Sequence, residues 1–264
     1  MDFVGQERLF NIINSYSLKN MPHTILLLGE EGCGKKTVVK YLANKLKLRL
    51  IEVNSAVESD KLIEFQQSVL KSLFLIDLSK LRLEKEQNQF LKFIEEPSKN
   101  NYVILINTSE VGILQTVLNR CVKLRFEPYT VDQLKQIKRF DNEEIYKVCQ
   151  TPGQLNFVSE QSFIEMNKLC ETVVNKIKIA SYANTLSIAT KINYKEDYNK
   201  FDFSAFLNLL EKTAEETYLK SNSNYALTLY LCVNKAKQKL VQNSGMAKEA
   251  FMISLLDEMW RKTR

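Results

Sequence analysis

Apolar residues fall into two regimes along this chain. Up to about residue 127, short apolar runs alternate with stretches whose apolar positions recur at helical spacing. Thr24–Leu28 (TILLL), Leu73–Asp77 (LFLID) and Tyr102–Ile106 (YVILI) are nearly unbroken apolar runs. That is the profile of strands buried on both faces of a parallel sheet. Leu50–Val53 reads as a further strand, and Val122–Phe126 (VKLRF) alternates as a strand does. Between them, Leu9, Ile12 and Ile13 mark an amphipathic helix within residues 3–20. Val38, Leu42 and Leu46 mark another over Thr37–Leu48. Asp60–Lys71, Lys85–Glu96 and Val111–Asn119 also read as helices, and Pro97 stops the second of these. Strands alternating with helices predict an α/β fold, with a parallel sheet covered on both faces.

After Pro128 the pattern changes. Val131–Phe140 and Glu143–Gln150 predict short helices, and Thr151-Pro152-Gly153 opens another. From about residue 160 every apolar period is helical. Leu229, Val233, Ala236 and Leu240 mark one long helix, and Phe251, Leu255 and Met259 the last. The expected organisation is an α/β core over residues 1–127, a small helical domain over 128–162 and an all-helical domain over 163–264.

Composition narrows the function classes. The 264 residues are 45% hydrophobic and 26% charged, ordinary values for a globular protein. A net charge of +6 is compatible with touching nucleic acid without demanding it. The five cysteines (33, 121, 149, 170 and 232) form no C-x-x-C pair, which argues against a zinc site or a disulfide framework. MDFVGQERLF lacks the basic start and apolar run of a signal peptide. No apolar stretch reaches the roughly 18 residues of a membrane span. The expectation is a cytoplasmic protein with reduced thiols and no membrane contact.

The sharpest motif is Gly29-Glu30-Glu31-Gly32-Cys33-Gly34-Lys35-Lys36-Thr37, a G-x-x-x-x-G-K between a strand and a helix. Such glycines let backbone N–H groups wrap a phosphate chain, and Lys35 stands where it would reach the outer phosphates. The next position should carry a Ser or Thr hydroxyl for Mg²⁺, but here it is Lys36. Thr37 lies one residue on, about 100° around the helix. A second ammonium repels the metal. Asp77 ends its strand as a Walker B aspartate would, either as a metal ligand or as a strand-end cap. Leu78 follows it where a glutamate general base belongs, and losing such a base typically costs ~10²–10⁴ in rate. Glu84 and Glu86 read as a solvated helix face.

Several blocks now stand in order: Val4-Gly5-Gln6, His23, the glycine loop, Asp77, Phe90–Pro97 (FLKFIEEP), Val103–Glu110 (VILINTSE), Leu118–Cys121 (LNRC), Leu124–Phe126 and Thr151–Gly153. The series resembles the clamp-loader AAA+ subunits, a family that includes bacterial gamma/tau and delta-prime and eukaryotic replication factor C. The resemblance covers roughly residues 3–160. It implies a AAA+ P-loop domain, a helical lid and a C-terminal helical collar that joins sister subunits.

The resemblance also implies roles. Arg120 matches the arginine finger that reaches a neighbouring subunit's ATP, with Asn119 in place of the family serine. The plain alternative is an arginine at a helix C-terminus, where the dipole favours it. Asn107 and Thr108 match the sensor-1 region, or cap their strand. Gln154 falls where ATP-hydrolysing relatives carry a second-sensor arginine. Lys36, Leu78 and Gln154 all depart toward a site without turnover, while Arg120 is kept. That asymmetry resembles the delta-prime type of subunit, although the zinc module common there is absent, since residues 47–72 hold no cysteine. The implied partners are gamma/tau and delta subunits, the sliding clamp, and primed DNA through its phosphates. Binding of ATP or ADP at Gly29, Gly32, Cys33, Gly34, Lys35, Lys36 and Thr37 without turnover stays open. An ATP-hydrolysing subunit of gamma or replication factor C type is the competing expectation.

Overall fold

The computed structural model describes residues 4–53, 71–81, 87, 88, 90, 91, 94, 101–177, 179–191, 202–242 and 248–264. The helix expected over Asp60–Lys71 lies almost wholly outside these residues. So do Glu84, Glu86, Pro97 and most of the helix expected over Lys85–Glu96. The chain divides into two compact units, Met1–Pro128 and Tyr129–Arg264.

The first unit is built on a five-stranded parallel sheet. Its strands are β1 (Thr24–Leu28), β2 (Arg49–Val53), β3 (Ser72–Asp77), β4 (Asn101–Asn107) and β5 (Val122–Arg125), in spatial order β2-β3-β4-β1-β5. Every residue of β1 and β4 is buried, which accounts for their unbroken apolar runs. One sheet face packs Leu26, Leu28, Phe74, Ile76, Val103 and Leu105 against Phe90, Ile94, Val117 and Leu118. The edge strand β5 reads exposed, exposed, buried, exposed, and its Lys123 and Arg125 blunt the open edge.

Two helices frame the functional end of the sheet. Helix α1 covers Glu7–Ser15 and buries Leu9 and Ile13. Helix α2 covers Lys35–Leu46 and buries Val38, Val39, Leu42 and Ala43. The sequence period placed α2 two residues later at each end. Its real limits are set by backbone handedness: Gly34 (φ 103°) stands before it and Lys47 (φ 54°) after it, both left-handed. Lys45 on α2 donates to the carbonyls of Ile13, Asn14 and Tyr16, covering the exposed end of α1. The helix expected over Val111–Asn119 is only Gln115–Leu118.

Among the described residues of the second unit every element is a helix. Its short helices are Val131–Ile137, Glu144–Val148 and Pro152–Phe157. Its longer ones are Glu160–Lys176, Tyr182–Lys191, Phe203–Ser221, Asn224–Gln242 and Lys248–Lys262. Capping boxes at Thr130, Thr151 and Ser159 open three of them. One core runs through the unit, from Leu134, Ile145 and Leu155 to Phe206, Val233 and Leu255. The helix Glu160–Lys176 crosses position 162/163, where the sequence pattern had suggested a division.

Candidate phosphate-binding site

The glycine loop leaves the C-terminal end of β1 and enters α2, as the motif requires. Gly32 (φ 82°) and Gly34 adopt left-handed backbone that a side chain would strain. Gly29 answers a different need. A Cβ there would lie 2.7 Å from Cβ of Phe126 and 2.9 Å from Sγ of Cys33, so only glycine fits. Phe126 is therefore part of the loop's packing, although its sequence position just past β5 gives no hint of it.

Lys35 Nζ donates to the carbonyls of Gly29, at 2.5 Å, and Glu30, at 2.7 Å. The ammonium thus sits inside the loop, braced by the backbone it would share with a phosphate. Cys33 is buried beside it, its Sγ 3.8 Å from Nζ. Burial pushes that thiol's pKa up, against the lowering effect of Lys35. Lys36 and Thr37 are exposed on the first turn of α2.

The carboxylate expected for a metal is committed elsewhere. Asp77 Oδ1 accepts from the backbone N–H of Ser79 at 3.2 Å and from its hydroxyl at 2.6 Å. This caps the short 3-10 turn Leu78–Lys80. Leu78 is 5% exposed and belongs to the sheet core. The residues present suit a phosphate chain better than Mg²⁺: residue 36 beside Lys35 carries no hydroxyl, and Asp77 Oδ1 is engaged by Ser79. Among the described residues no cluster of three or more His, Cys, Asp or Glu could hold a metal ion.

Asn107 ends β4 next to the loop. Its carbonyl accepts from the N–H of Gly29 at 3.3 Å, tying the loop to the sheet. Its side chain is turned to the carbonyl of Ser109, at 2.9 Å, and Thr108 is half-buried behind it. In the second unit, the Gln154 side chain is buried and accepts from the N–H groups of Gln150 and Thr151, closing the cap of its own helix.

Arg120 lies at the other end of the sheet. It precedes β5, which runs parallel to β1 with Ile25 opposite Val122 and Leu28 opposite Arg125. The loop begins past Leu28, so about six extended residues, roughly 20 Å, separate the two levels. Arg120 is exposed, and Nη1 donates to the carbonyl of Thr116 at 2.8 Å, at the end of helix Gln115–Leu118. Cys121 beside it is half-buried, which pushes its thiol up to about 11. Further along β5, Lys123 and Arg125 both pair with Glu110. The hydrogen bond from Lys123 is the main cause of that carboxyl's lowered pKa.

Gln6 is a further residue whose part the sequence did not reveal. It is 3% exposed and clamps the backbone of Glu127. Its neighbour Gly5 takes a positive φ of 77°. A glutamine between a glycine and a helix start was the available signal.

Comparison with known proteins bears on the family and the fold. A family model described as DNA polymerase III, delta subunit, matches residues 67–130. The DNA polymerase III subunit delta' of Buchnera aphidicola subsp. Acyrthosiphon pisum (strain APS) is 23% identical over 244 residues, covering 75% of this chain and 73% of that protein. The DNA polymerase III subunit gamma of Buchnera aphidicola subsp. Baizongia pistaciae (strain Bp) is 25% identical over 167 residues, 50% of this chain and 45% of that protein. This chain spans about half the length of the gamma relatives it matches. A crystal structure of a DNA polymerase III gamma subunit-related protein from Thermotoga maritima superposes with a TM-score of 0.52 at 15% identity, covering all of both chains, which shows the fold. The matched family model and these relatives make the chain similar to DNA polymerase III clamp-loader subunits, on an AAA+ P-loop fold.

Proposed function

We infer that this chain is a clamp-loader subunit of the delta-prime type, a stator that does not hydrolyse ATP itself and offers Arg120 to the ATP of a neighbouring subunit. The observation that carries the reading is the separation of Arg120 from the chain's own glycine loop, at opposite ends of one sheet. An arginine so placed cannot serve its own site but can serve another subunit's. There it would neutralise charge on the transferring phosphoryl group, an effect worth ~10³–10⁵ in rate.

Three features at the chain's own loop support the absence of turnover. Lys36 occupies the metal-hydroxyl position, Leu78 is locked into the core where a base belongs, and Asp77 is engaged by Ser79. The loop keeps the geometry to hold ATP or ADP without turnover. In this reading the partners are gamma/tau and delta subunits, the sliding clamp and primed DNA, and the protein works in the cytoplasm. Among the described residues no helix is long and apolar enough to cross a membrane.

The test is Arg120→Ala in the complex reconstituted with gamma/tau and delta. Assembly should persist while ATP turnover at the neighbouring site is lost. Unchanged turnover overturns the finger assignment. The gamma-type alternative draws on the gamma relatives and on the intact Lys35. It requires the purified chain alone to turn over ATP at about 1 s⁻¹ or faster, within the ordinary enzyme range.

A further inference from the structure

Helix α2 carries Lys35, Lys36, Lys40 and Lys45, is followed directly by Lys47, and contains no acidic residue. Two of these lysines have structural duties: Lys35 braces the glycine loop and Lys45 covers the end of α1. The other three share one side. At 100° per residue, the Cα atoms of Lys36, Lys40 and the C-cap residue Lys47 fall within about 40° of arc, spaced about 6 and 10 Å along the axis. All three are exposed, and among the described residues none forms a salt bridge. No large apolar side chain is exposed on this helix.

Both ends of the stripe hold a lysine where local physics disfavours one. Lys36 sits in the first turn, where the helix dipole repels a cation by about 0.3–1 kcal/mol. Lys47 adopts the left-handed conformation (φ 54°) that glycine fills at least cost. Residues placed against local preference mark functional positions more often than core ones. Protein interfaces are depleted in lysine and centred on apolar groups, whereas exposed lysines in a row without apolar neighbours suit a row of phosphates.

We propose that Lys36, Lys40 and Lys47 form a docking stripe for the phosphate backbone of DNA. The proposal rests on the reading of the chain as a DNA-loading subunit and supplies the contact residues that this reading lacks. Contacts of this kind are independent of base sequence, and each releases condensed counterions.

The experiment uses the full chain and a fluorescein-labelled DNA duplex of about 30 base pairs, with anisotropy followed from about 50 to 200 mM NaCl. The variants are Lys40→Gln with Lys47→Gln, the same pair with Lys36→Gln added, and a charge-matched control at Lys168, Lys176 and Lys220, which are exposed in the second unit. Each stripe lysine removed should reduce the salt slope by about 0.9, or about 2.7 for the triple variant. Over that fourfold salt range the wild type should then lose about 40-fold more affinity than the triple variant. The control should keep the wild-type slope. No binding by the wild type, an unchanged slope in the triple variant, or an equal fall in the control overturns the stripe. So does a triple variant that keeps its DNA slope but no longer co-purifies with gamma/tau and delta, which would make the stripe a protein contact. A wild type that binds DNA through the stripe yet never joins those subunits defeats the clamp-loader reading and leaves the stripe standing.

Discussion

Gln6 grips the backbone of Glu127 with both ends of its amide. Nε2 donates to the carbonyl at 2.8 Å and Oε1 accepts from the N–H at 3.0 Å. The grip joins the start of α1 to the chain just beyond Phe126, the residue packed on Gly29. Gln6→Met keeps the volume and removes both bonds. A partly buried donor and acceptor would lose their partners, for about 1–3 kcal/mol. Urea unfolding of the full chain should show the transition of the first unit moving to lower denaturant.

Lys47→Gly should raise stability. Relief of a left-handed lysine is worth about 1–2 kcal/mol, offset by the greater freedom of glycine in the unfolded chain, about 0.4–1 kcal/mol. The net gain is on the order of 0.5–1 kcal/mol. Calorimetry should show a higher Tm for the unit containing α2, in the same variant that loses a stripe cation. A fall in Tm would mean that Lys47 makes a contact worth more than its strain.

The sheet was legible because its strands are buried on both faces, and unbroken apolar runs such as Thr24–Leu28 have few other uses. The glycine loop was legible because backbone geometry restricts Gly32 and Gly34. Helix boundaries were less so: the end of α2 depends on Lys47 adopting a conformation that its residue type disfavours. The partners of functional side chains were the least legible. The cap that Asp77 makes to Ser79 is local and was among the expectations, but nothing local says that Phe126 packs on Gly29 or that Gln6 reaches Glu127, 121 residues away. Such contacts are set by tertiary closure, which a local period cannot encode.

Cys149 makes stability depend on pH at the alkaline end. Burial, helped by Asp202 and opposed by Lys138, raises its thiol from 9.0 to about 12. The folded state therefore holds the proton more tightly than the unfolded state. Its contribution is fully present below pH 9 and is lost as pH rises toward 12, with a slope of about 1.4 kcal/mol per pH unit. Cys149→Ala should remove that slope. Comparing unfolding free energies of the two proteins at several pH values above 9 checks it. Parallel curves would mean that the thiol ionises as readily folded as unfolded.

Restoring a glutamate after Asp77 should not restore an ATPase. Leu78 is 5% exposed and packs in the sheet core, so Leu78→Glu buries a carboxyl among apolar side chains. The loss should be at least about 2 kcal/mol, with the carboxyl held neutral by its surroundings. A neutral acid cannot take a proton from water. Asp77 would stay engaged by Ser79, and Lys36 would still repel Mg²⁺. The expected outcome is a lower Tm and no phosphate release above the wild-type background. A Leu78→Glu protein that melts like the wild type and hydrolyses ATP at about 1 s⁻¹ would show that residue 78 alone had silenced the site.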